Sequence, residues 1–163
     1  MKIEAKLSFK GYLKLVAYLT VKKPLMIILM AFIALFLIDT ACYFLGFREH
    51  LPYFGLSFSL FCIVVYPLLI YFNTKKNFYS NKRLQEKIGY EFSNEKIIVS
   101  GETFTTEMDW SKIYRVVELK SWVLIYQSIQ TANIIPKESF NGCLDEFREI
   151  VKSSGVKSKL KKK

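Results

Sequence analysis

Two long apolar runs, separated by three polar residues, constrain this chain more than any other feature. They cover residues 25–47 and 51–72, and the segment between them is Arg48-Glu49-His50. At about 1.5 Å per residue, a helix over either run would span the roughly 30 Å hydrocarbon core of a bilayer. Both runs are apolar all round rather than on one face. They predict a two-helix transmembrane hairpin within residues 24–72, with the lipid bilayer as its first partner.

Basic residues on both sides of the hairpin predict its orientation. Six lysines precede the first run and five Lys or Arg residues lie within residues 73–87, whereas the connecting loop contains only Arg48. Basic residues that flank membrane spans stay on the cytoplasmic side. We therefore expect a multi-pass protein with both termini in the cytoplasm.

The cytoplasmic segment before the hairpin, residues 1–23, contains two different apolar periods. Ile3, Ala5 and Leu7 alternate with charged residues, which predicts a short strand. From Ser8 to about Val21 the apolar residues recur every three to four positions, which predicts an amphipathic helix. Such a helix either lies in the membrane interface or packs on the C-terminal domain, and the sequence favours neither placement.

One acidic residue, Asp39, lies inside the first apolar run. A carboxylate within a span costs about 2.5–3.5 kcal/mol on insertion scales, so we expect it to have a polar partner. By depth, Ser57 and Ser59 of the second run are the candidates, and the three residues form a candidate intramembrane polar site. A structural hydrogen bond is one interpretation. A small oligomeric transport or channel subunit that uses Asp39 is the alternative, and it requires a homo-oligomer or a larger membrane protein partner.

The chain beyond the hairpin predicts a small cytoplasmic domain over residues 88–155, after a polar linker or helix extension at 73–87. Six short segments rich in β-branched and aromatic residues predict strands. They cover residues 88–93, 96–100, 103–110, 113–119, 122–128 and 132–135. Their links are short, which favours an antiparallel meander. A helix is predicted from residue 139 or 141 to 153, because Leu144, Phe147, Ile150 and Val151 share one face.

This order of elements predicts an α+β membrane protein: a transmembrane hairpin, then a small antiparallel β-sheet or barrel with a C-terminal α-helix. Several strands closed by one helix are typical of the pleckstrin-homology-like (PH-like) fold, a step that rests on fold analogy. Within the domain, we expect Trp110 to anchor the core and Asp109 to cap the turn that follows it.

Three short motifs stand out in this domain: Tyr90-Glu91-Phe92-Ser93, Asp109-Trp110-Ser111-Lys112-Ile113, and Ile134-Ile135-Pro136-Lys137 leading to Phe140. Through these motifs the chain resembles the YcxB-like family of bacterial membrane proteins. The resemblance is one of sequence. It extends to the order of the N-terminal segment, the two spans and the sheet-and-helix domain. It implies a PH-like C-terminal domain and a place in the bacterial cytoplasmic membrane. The resemblance implies no activity, cofactor or catalytic residue.

The sequence contains no arrangement of residues that predicts catalysis. The single histidine, His50, lies in the loop predicted to be outside, so it cannot join a cytoplasmic Ser or Cys in a catalytic site. No phosphate-binding loop and no metal-binding motif occurs, and the three cysteines form no CxxC pair. We therefore predict a protein that is not an enzyme and has no cofactor or metal site.

Charge is the remaining functional signal. Residues 73–163 contain 17 Lys or Arg and 11 Asp or Glu, a net charge of +6. Residues 156–163 are predicted to form a basic disordered tail. Beside an anionic leaflet each lysine gains about 1 kcal/mol, so the tail lysines are candidate lipid contacts. These are Lys157, Lys159, Lys161, Lys162 and Lys163. A solvated tail without a partner is the simpler interpretation.

The tail has no interleaved aromatic residues and no reading helix, so no nucleic-acid partner is predicted. The function that the sequence favours is a non-enzymatic adaptor or accessory module. Its cytoplasmic domain would bind anionic lipid headgroups or a membrane protein partner. The oligomeric subunit built around Asp39 is the alternative.

Overall fold

The computed structural model describes residues 1–161, which fold into two compact units. One unit is helical and runs from Phe9 to Ser80. The other is a β unit, and it is made of two separate parts of the chain, Met1–Ser8 and the residues from Asn81 onward. The helical unit is therefore an insertion within the β unit.

The helical unit consists of α1 (Phe9–Val21), α2 (Pro24–Phe44) and α3 (Tyr53–Ser80). By length and composition, α2 and α3 are both able to cross a membrane, with mean hydropathies of 2.6 and 2.1. Only 6% and 11% of the residues in these apolar windows are buried in the protein. The chain is α+β with two apolar helices near its N-terminus, as predicted.

The helix ends differ from the predicted spans. Helix α2 ends at Phe44, three residues before the end of the first apolar run, because the chain turns there through Gly46, which has a positive φ of 81°. The second helix continues past residue 72 to Ser80. Most of the polar segment at 73–87 is therefore a helix extension, followed by a 3₁₀ turn at Lys82–Leu84.

Close packing within the helical unit depends on a glycine and on aromatic rings. A Cβ atom at Gly55 would come within 2.8 Å of the Phe36 ring, so the missing side chain lets α2 and α3 approach. Helix α1 packs on α3 through Phe9, whose ring centroid lies 5.9 Å from that of Tyr71 and 5.7 Å from that of Phe78. This contact with α3 had not been considered in either placement predicted for α1.

The β unit contains two four-stranded sheets and one helix. The first sheet has the order β1-β2-β3-β4 and is antiparallel throughout. The second sheet has the order β7-β6-β5-β8, with β8 parallel to β5. The elements are β1 (Lys2–Lys6), β2 (Lys87–Phe92), β3 (Lys96–Ser100), β4 (Thr105–Asp109), β5 (Arg115–Glu118), β6 (Trp122–Tyr126), β7 (Ala132–Pro136), α4 (Leu144–Ser153) and β8 (Ser158–Lys159).

The N-terminal strand is part of the first sheet although some eighty residues separate it from its neighbour. Lys2 lies opposite Glu91 and Ile3 lies opposite Tyr90 in the register of β1 and β2. The N-terminal amine donates a hydrogen bond of 2.9 Å to the carbonyl oxygen of Phe92. The helical hairpin is thus inserted between the first two strands of the β unit.

The core of the β unit lies between the sheets and α4. Phe147 and Val151, on one face of α4, are fully buried there, as the helical period predicted. The Phe147 ring lies 4.9 Å from that of Phe92 and 5.1 Å from that of Phe140, centroid to centroid. Trp110 is buried and its Nε1 donates to the carbonyl oxygen of Ser93 at 2.8 Å, so it anchors the core as expected.

Two predictions for this domain were wrong in detail. The single meander is in fact two sheets, because the 3₁₀ turn at Trp110–Lys112 redirects the chain between β4 and β5. Asp109 does not cap that turn with its side chain. Its carboxylate pairs with Lys112 at 2.8 Å instead, which holds the pKa of Asp109 below its ordinary value.

The basic tail is also more ordered than predicted. Ser158 and Lys159 pair with β5, and the amide of Val116 donates to the carbonyl oxygen of Lys157 at 2.9 Å. Val156 and Leu160 pack against the core, and this apolar pair outweighs the lysines that suggested disorder. The predicted lipid contacts Lys162 and Lys163 lie outside the described residues.

Candidate functional site

A buried carboxylate joins three parts of the β unit. The side chain of Glu118, at the end of β5, is 1% exposed. Arg148 of α4 donates to it twice, from Nε at 3.0 Å and from Nη2 at 2.7 Å. Lys137, directly after β7, forms a short ion pair with the same carboxylate. The amide of Lys161, after β8, donates to Oε2 at 3.1 Å. We call these four residues the Glu118 cluster.

Both carboxylate oxygens of Glu118 already accept hydrogen bonds from within the cluster. Burial by itself raises the pKa of Glu118, but the hydrogen bonds from Arg148, Lys137 and Lys161 outweigh it and lower the pKa from 4.5 to about 2. The carboxylate is therefore ionised and acts as an acceptor only. The pKa of Arg148 is raised by its bonds to Glu118 and Asp145. Such a group has no free proton to exchange near neutral pH, so its role is to fix α4 and the tail on β5.

A second feature of the β unit is an open cleft of about 360 Å³. Side chains from both sheets line it, together with residues of the segment before β2 and of the loop before β4. Nine of the 17 lining residues are apolar: Ala5, Leu7, Leu84, Ile88, Val99, Phe104, Met108, Ala132 and Ile134. Tyr90, almost wholly buried, also contributes to the lining. This volume and this composition are typical of small-molecule sites, which occupy about 300–1,000 Å³ and are mainly apolar.

Seven of the lining residues are polar or charged, and three of them, Arg83, Glu86 and Asn133, bear on what the cleft could bind. The guanidinium of Arg83 lies over the Phe104 ring, 4.8 Å from its centroid. Among residues 1–161 no carboxylate lies within ion-pair distance of Arg83. Glu86, also in the lining, is turned to the neighbouring loop, where it accepts the amide of Glu102 at 3.3 Å. The buried Nδ2 of Asn133 has no hydrogen-bond partner in the described structure.

The predicted intramembrane polar site is only partly assembled. Asp39 pairs with Arg48, with 2.8 Å between Oδ1 and Nη2. It does not bond to Ser59, whose buried Oγ has no partner within residues 1–161, and Ser57 is exposed. Among residues 1–161, Asp39 thus pairs with Arg48 rather than with Ser59, and a polar site of Asp39, Ser57 and Ser59 stays a prediction. A transport role for Asp39 stays a prediction.

The tail lysines point outward. Lys157, Lys159 and Lys161 are exposed, while their backbone is held against β5 and the Glu118 cluster. These three exposed lysines thus form a basic strip along the tail. Within the part of the chain that is described, no three His, Cys, Asp or Glu side chains converge as metal ligands would.

Comparison with known families bears on this β unit alone. Residues 92–151 match the family described as YcxB-like protein. This segment is YcxB-like. The match covers 60 of the 163 residues and confirms the resemblance drawn from the short motifs. No curated protein and no solved structure matches the chain.

The YcxB-like segment runs from the last residue of β2 to α4, and so includes three members of the Glu118 cluster. Sequence reasoning missed this cluster, although Lys137 belongs to one of the motifs that carried the resemblance. The missed signal was an acidic residue within an apolar strand, Glu118 after Val116 and Val117. Residues 1–8 and 81–90, which supply eight of the 17 lining residues, lie outside the YcxB-like segment.

Proposed function

We propose that this chain is a non-enzymatic integral membrane adaptor. It anchors a PH-like domain at the cytoplasmic face of the bacterial cytoplasmic membrane, where the domain binds anionic lipid or a membrane protein partner. The observation that carries this proposal is the insertion of the apolar hairpin between β1 and β2. A binding domain interrupted in this way is joined to the bilayer by two covalent connections, at residues 8–9 and 80–81.

Exposure of the apolar helices supports the membrane location. Leu25 is 75% exposed, Leu35 61% and Leu60 62% in the isolated chain. Helices in the core of a soluble protein are buried, whereas these side chains form surfaces that need another apolar phase. With no more than one basic residue in the connecting loop, the lysine-rich flanks favour a cytoplasmic β unit.

The order of strands supports the PH-like assignment. Four antiparallel strands form the first sheet, three antiparallel strands follow in the second, and α4 then covers the core. The tail strand β8 is an addition at the edge of the second sheet. This order is that of a strongly bent sheet plugged by its C-terminal helix. The assignment is a fold analogy, which bears on architecture rather than on ligand.

A binding role is favoured over catalysis by what the β unit presents. The one buried carboxylate among its described residues, Glu118, already has its hydrogen-bond partners, and its surface offers a cleft with Arg83, which has no carboxylate partner there, and a strip of exposed lysines. Lysines held beside an anionic leaflet add about 1 kcal/mol each to membrane association. These features suit a module that recognises acidic headgroups or an acidic partner.

Extraction of the full-length protein together with its surrounding lipid tests this proposal. Membranes would be dissolved with a styrene–maleic acid copolymer, and the co-purified lipids and proteins identified by mass spectrometry. We expect anionic lipid at least about twofold above its bulk share, or a membrane protein in stoichiometric amount. Replacing all five tail lysines with Gln should remove the lipid enrichment, whereas Lys112→Gln with Lys120→Gln should not. Recovery of bulk lipid alone, with no partner, would count against the proposal.

A further inference from the structure

We propose that the cleft of the β unit binds one single-chain anionic amphiphile, with its alkyl chain inside the cleft and its acidic headgroup at Arg83. A fatty acid and a monoacyl phospholipid share this chemistry. The inference deepens the proposed membrane function and depends on it, since a bilayer is the source of such ligands.

The interior of the cleft fits an alkyl chain. Its lining includes residues of β1, β2, β3, β4 and β7 together with Phe104. Met108 and Phe104 offer an adaptable thioether and a ring face, which accommodate a flexible chain without a fixed shape. A volume of about 360 Å³ is within the range of ligand sites and larger than a packing defect.

The polar groups of the cleft select an acidic headgroup. Arg83 is held over Phe104, and its guanidinium has no carboxylate partner among the described residues. The buried Nδ2 of Asn133 is a second donor without an acceptor. The buried Nδ2 of Asn133 favours a ligand that brings an oxygen atom, and the exposed guanidinium of Arg83 favours a carboxylate or phosphate. Glu86 is an acidic side chain in the same lining, where its Oε2 accepts the amide of Glu102 at 3.3 Å, so we place the acidic headgroup at Arg83 rather than at this carboxylate.

The cleft lining includes residues that are close in sequence to the apolar hairpin. Leu7 and Asn81 both line it, and they stand within two residues of α1 and α3, respectively. In sequence, the cleft lining therefore reaches the two connections between the β unit and the helical unit.

Photo-crosslinking of the full-length protein tests the inference. The protein would be placed in nanodiscs of zwitterionic lipid and irradiated with a hexadecanoic acid that has a diazirine near the end of its chain. Digestion and mass spectrometry would then locate the adducts. We expect adducts on peptides that contain Ile88, Val99, Met108 or Ile134, besides those on α2 and α3. Unlabelled palmitate and lysophosphatidylglycerol should both compete for the cleft adducts.

Two variants test the contributions of the headgroup and of the alkyl chain to binding separately. Arg83→Ala should reduce the cleft adducts about tenfold, whereas Lys82→Ala, a neighbouring exposed lysine outside the lining, should leave them unchanged. Ala132→Trp should remove them by filling the cleft, with adducts on the hairpin kept as an internal control. The diazirine analogue of hexadecanol should label the cleft about tenfold less than the acid.

Adducts confined to the hairpin of the unmodified protein would overturn the inference, as would cleft adducts that neither Arg83→Ala nor Ala132→Trp reduces. Equal labelling by the alcohol and the acid would overturn the role of Arg83. In each of these outcomes the hairpin adducts would still report membrane insertion, so the failure would not extend to the proposed anchoring.

Discussion

The carboxylate of Glu118 and the guanidinium of Arg148 face each other as a two-point pair, which fixes α4 to the end of β5. Nε lies 3.0 Å from Oε2 and Nη2 lies 2.7 Å from Oε1, and both side chains are largely buried. Paired forks of this kind are among the stronger polar contacts in proteins. The same carboxylate receives Lys137 and the Lys161 amide, so several elements depend on one charge.

Glu118→Gln should destabilise the β unit by about 3 kcal/mol, because it leaves Arg148 and Lys137 buried beside a neutral amide. Both tryptophans, Trp110 and Trp122, lie in the β unit, so intrinsic fluorescence of the full-length protein in detergent reports its melting. We expect the Tm to fall by about 10 °C or more. Glu107→Gln, which breaks an exposed pair with Lys96, serves as the control and should change the Tm little.

Acid should weaken this cluster in a defined window. The pKa of Glu118 is about 2 in the folded protein, against 4.5 as its ordinary value. Below pH 4.5 the unfolded chain binds a proton that the folded chain does not, so this contribution to stability falls as the pH falls. The Tm difference between the unmodified protein and Glu118→Gln should be constant from pH 7 to about pH 5. It should shrink towards pH 3, and a difference that grew on acidification would contradict this account.

Removal of the hairpin should yield a soluble β unit only if β1 is retained. Residues 1–8 joined through a short Gly-Ser linker to residues 81–163 keep the pairing of β1 with β2. This chain should be monomeric, with dispersed amide signals in NMR spectra. Residues 81–163 alone lack Ile3 and Ala5, which are core residues, and expose an edge of β2. That fragment should aggregate or melt at a clearly lower temperature, and equal behaviour of the two chains would show that β1 is dispensable.

The tail should have separable structural and electrostatic roles. Deletion of residues 157–163 removes the bonds of Lys157 to Val116 and of Lys161 to Glu118. We expect a loss of about 1–2 kcal/mol, seen as a Tm lower by several degrees. Replacement of the five tail lysines with Gln keeps those backbone bonds and should change the Tm little. A large Tm loss in the Gln variant would mean that the lysine charges, rather than the strand, hold the tail.

Periodicity in the sequence was sufficient for most local structure. The six strands predicted after the hairpin and the helix that ends at Ser153 are present, since alternation and helical spacing are local signals. The same alternation revealed β1. Its partner could not be predicted, because pairing of Ile3 with Tyr90 crosses a whole inserted unit. Such a pairing depends on tertiary packing, which leaves no mark in a single sequence.

The candidate sites were harder to predict for the same reason. In the sequence, Arg83 is one basic residue in a polar segment. It becomes a candidate headgroup contact only because it lies over the Phe104 ring and has no carboxylate partner among the described residues. The pairs of Glu118 with Lys137 and Arg148 join residues 19 and 30 positions apart. In the tail, charge composition predicted disorder, but the apolar pair Val156 and Leu160 decided the outcome.

Thiol labelling of intact cells tests the central claim most directly, which is a hairpin that spans the membrane with the β unit in the cytoplasm. Cys143 of the β unit is exposed, so the chain with Cys42→Ala and Cys62→Ala carries one accessible thiol there. A second chain adds Cys143→Ala and His50→Cys, which moves the thiol to the connecting loop. A membrane-impermeant maleimide should label the loop thiol in intact cells, and Cys143 only after permeabilisation. Labelling of Cys143 in intact cells, or of neither thiol before lysis, would contradict the account.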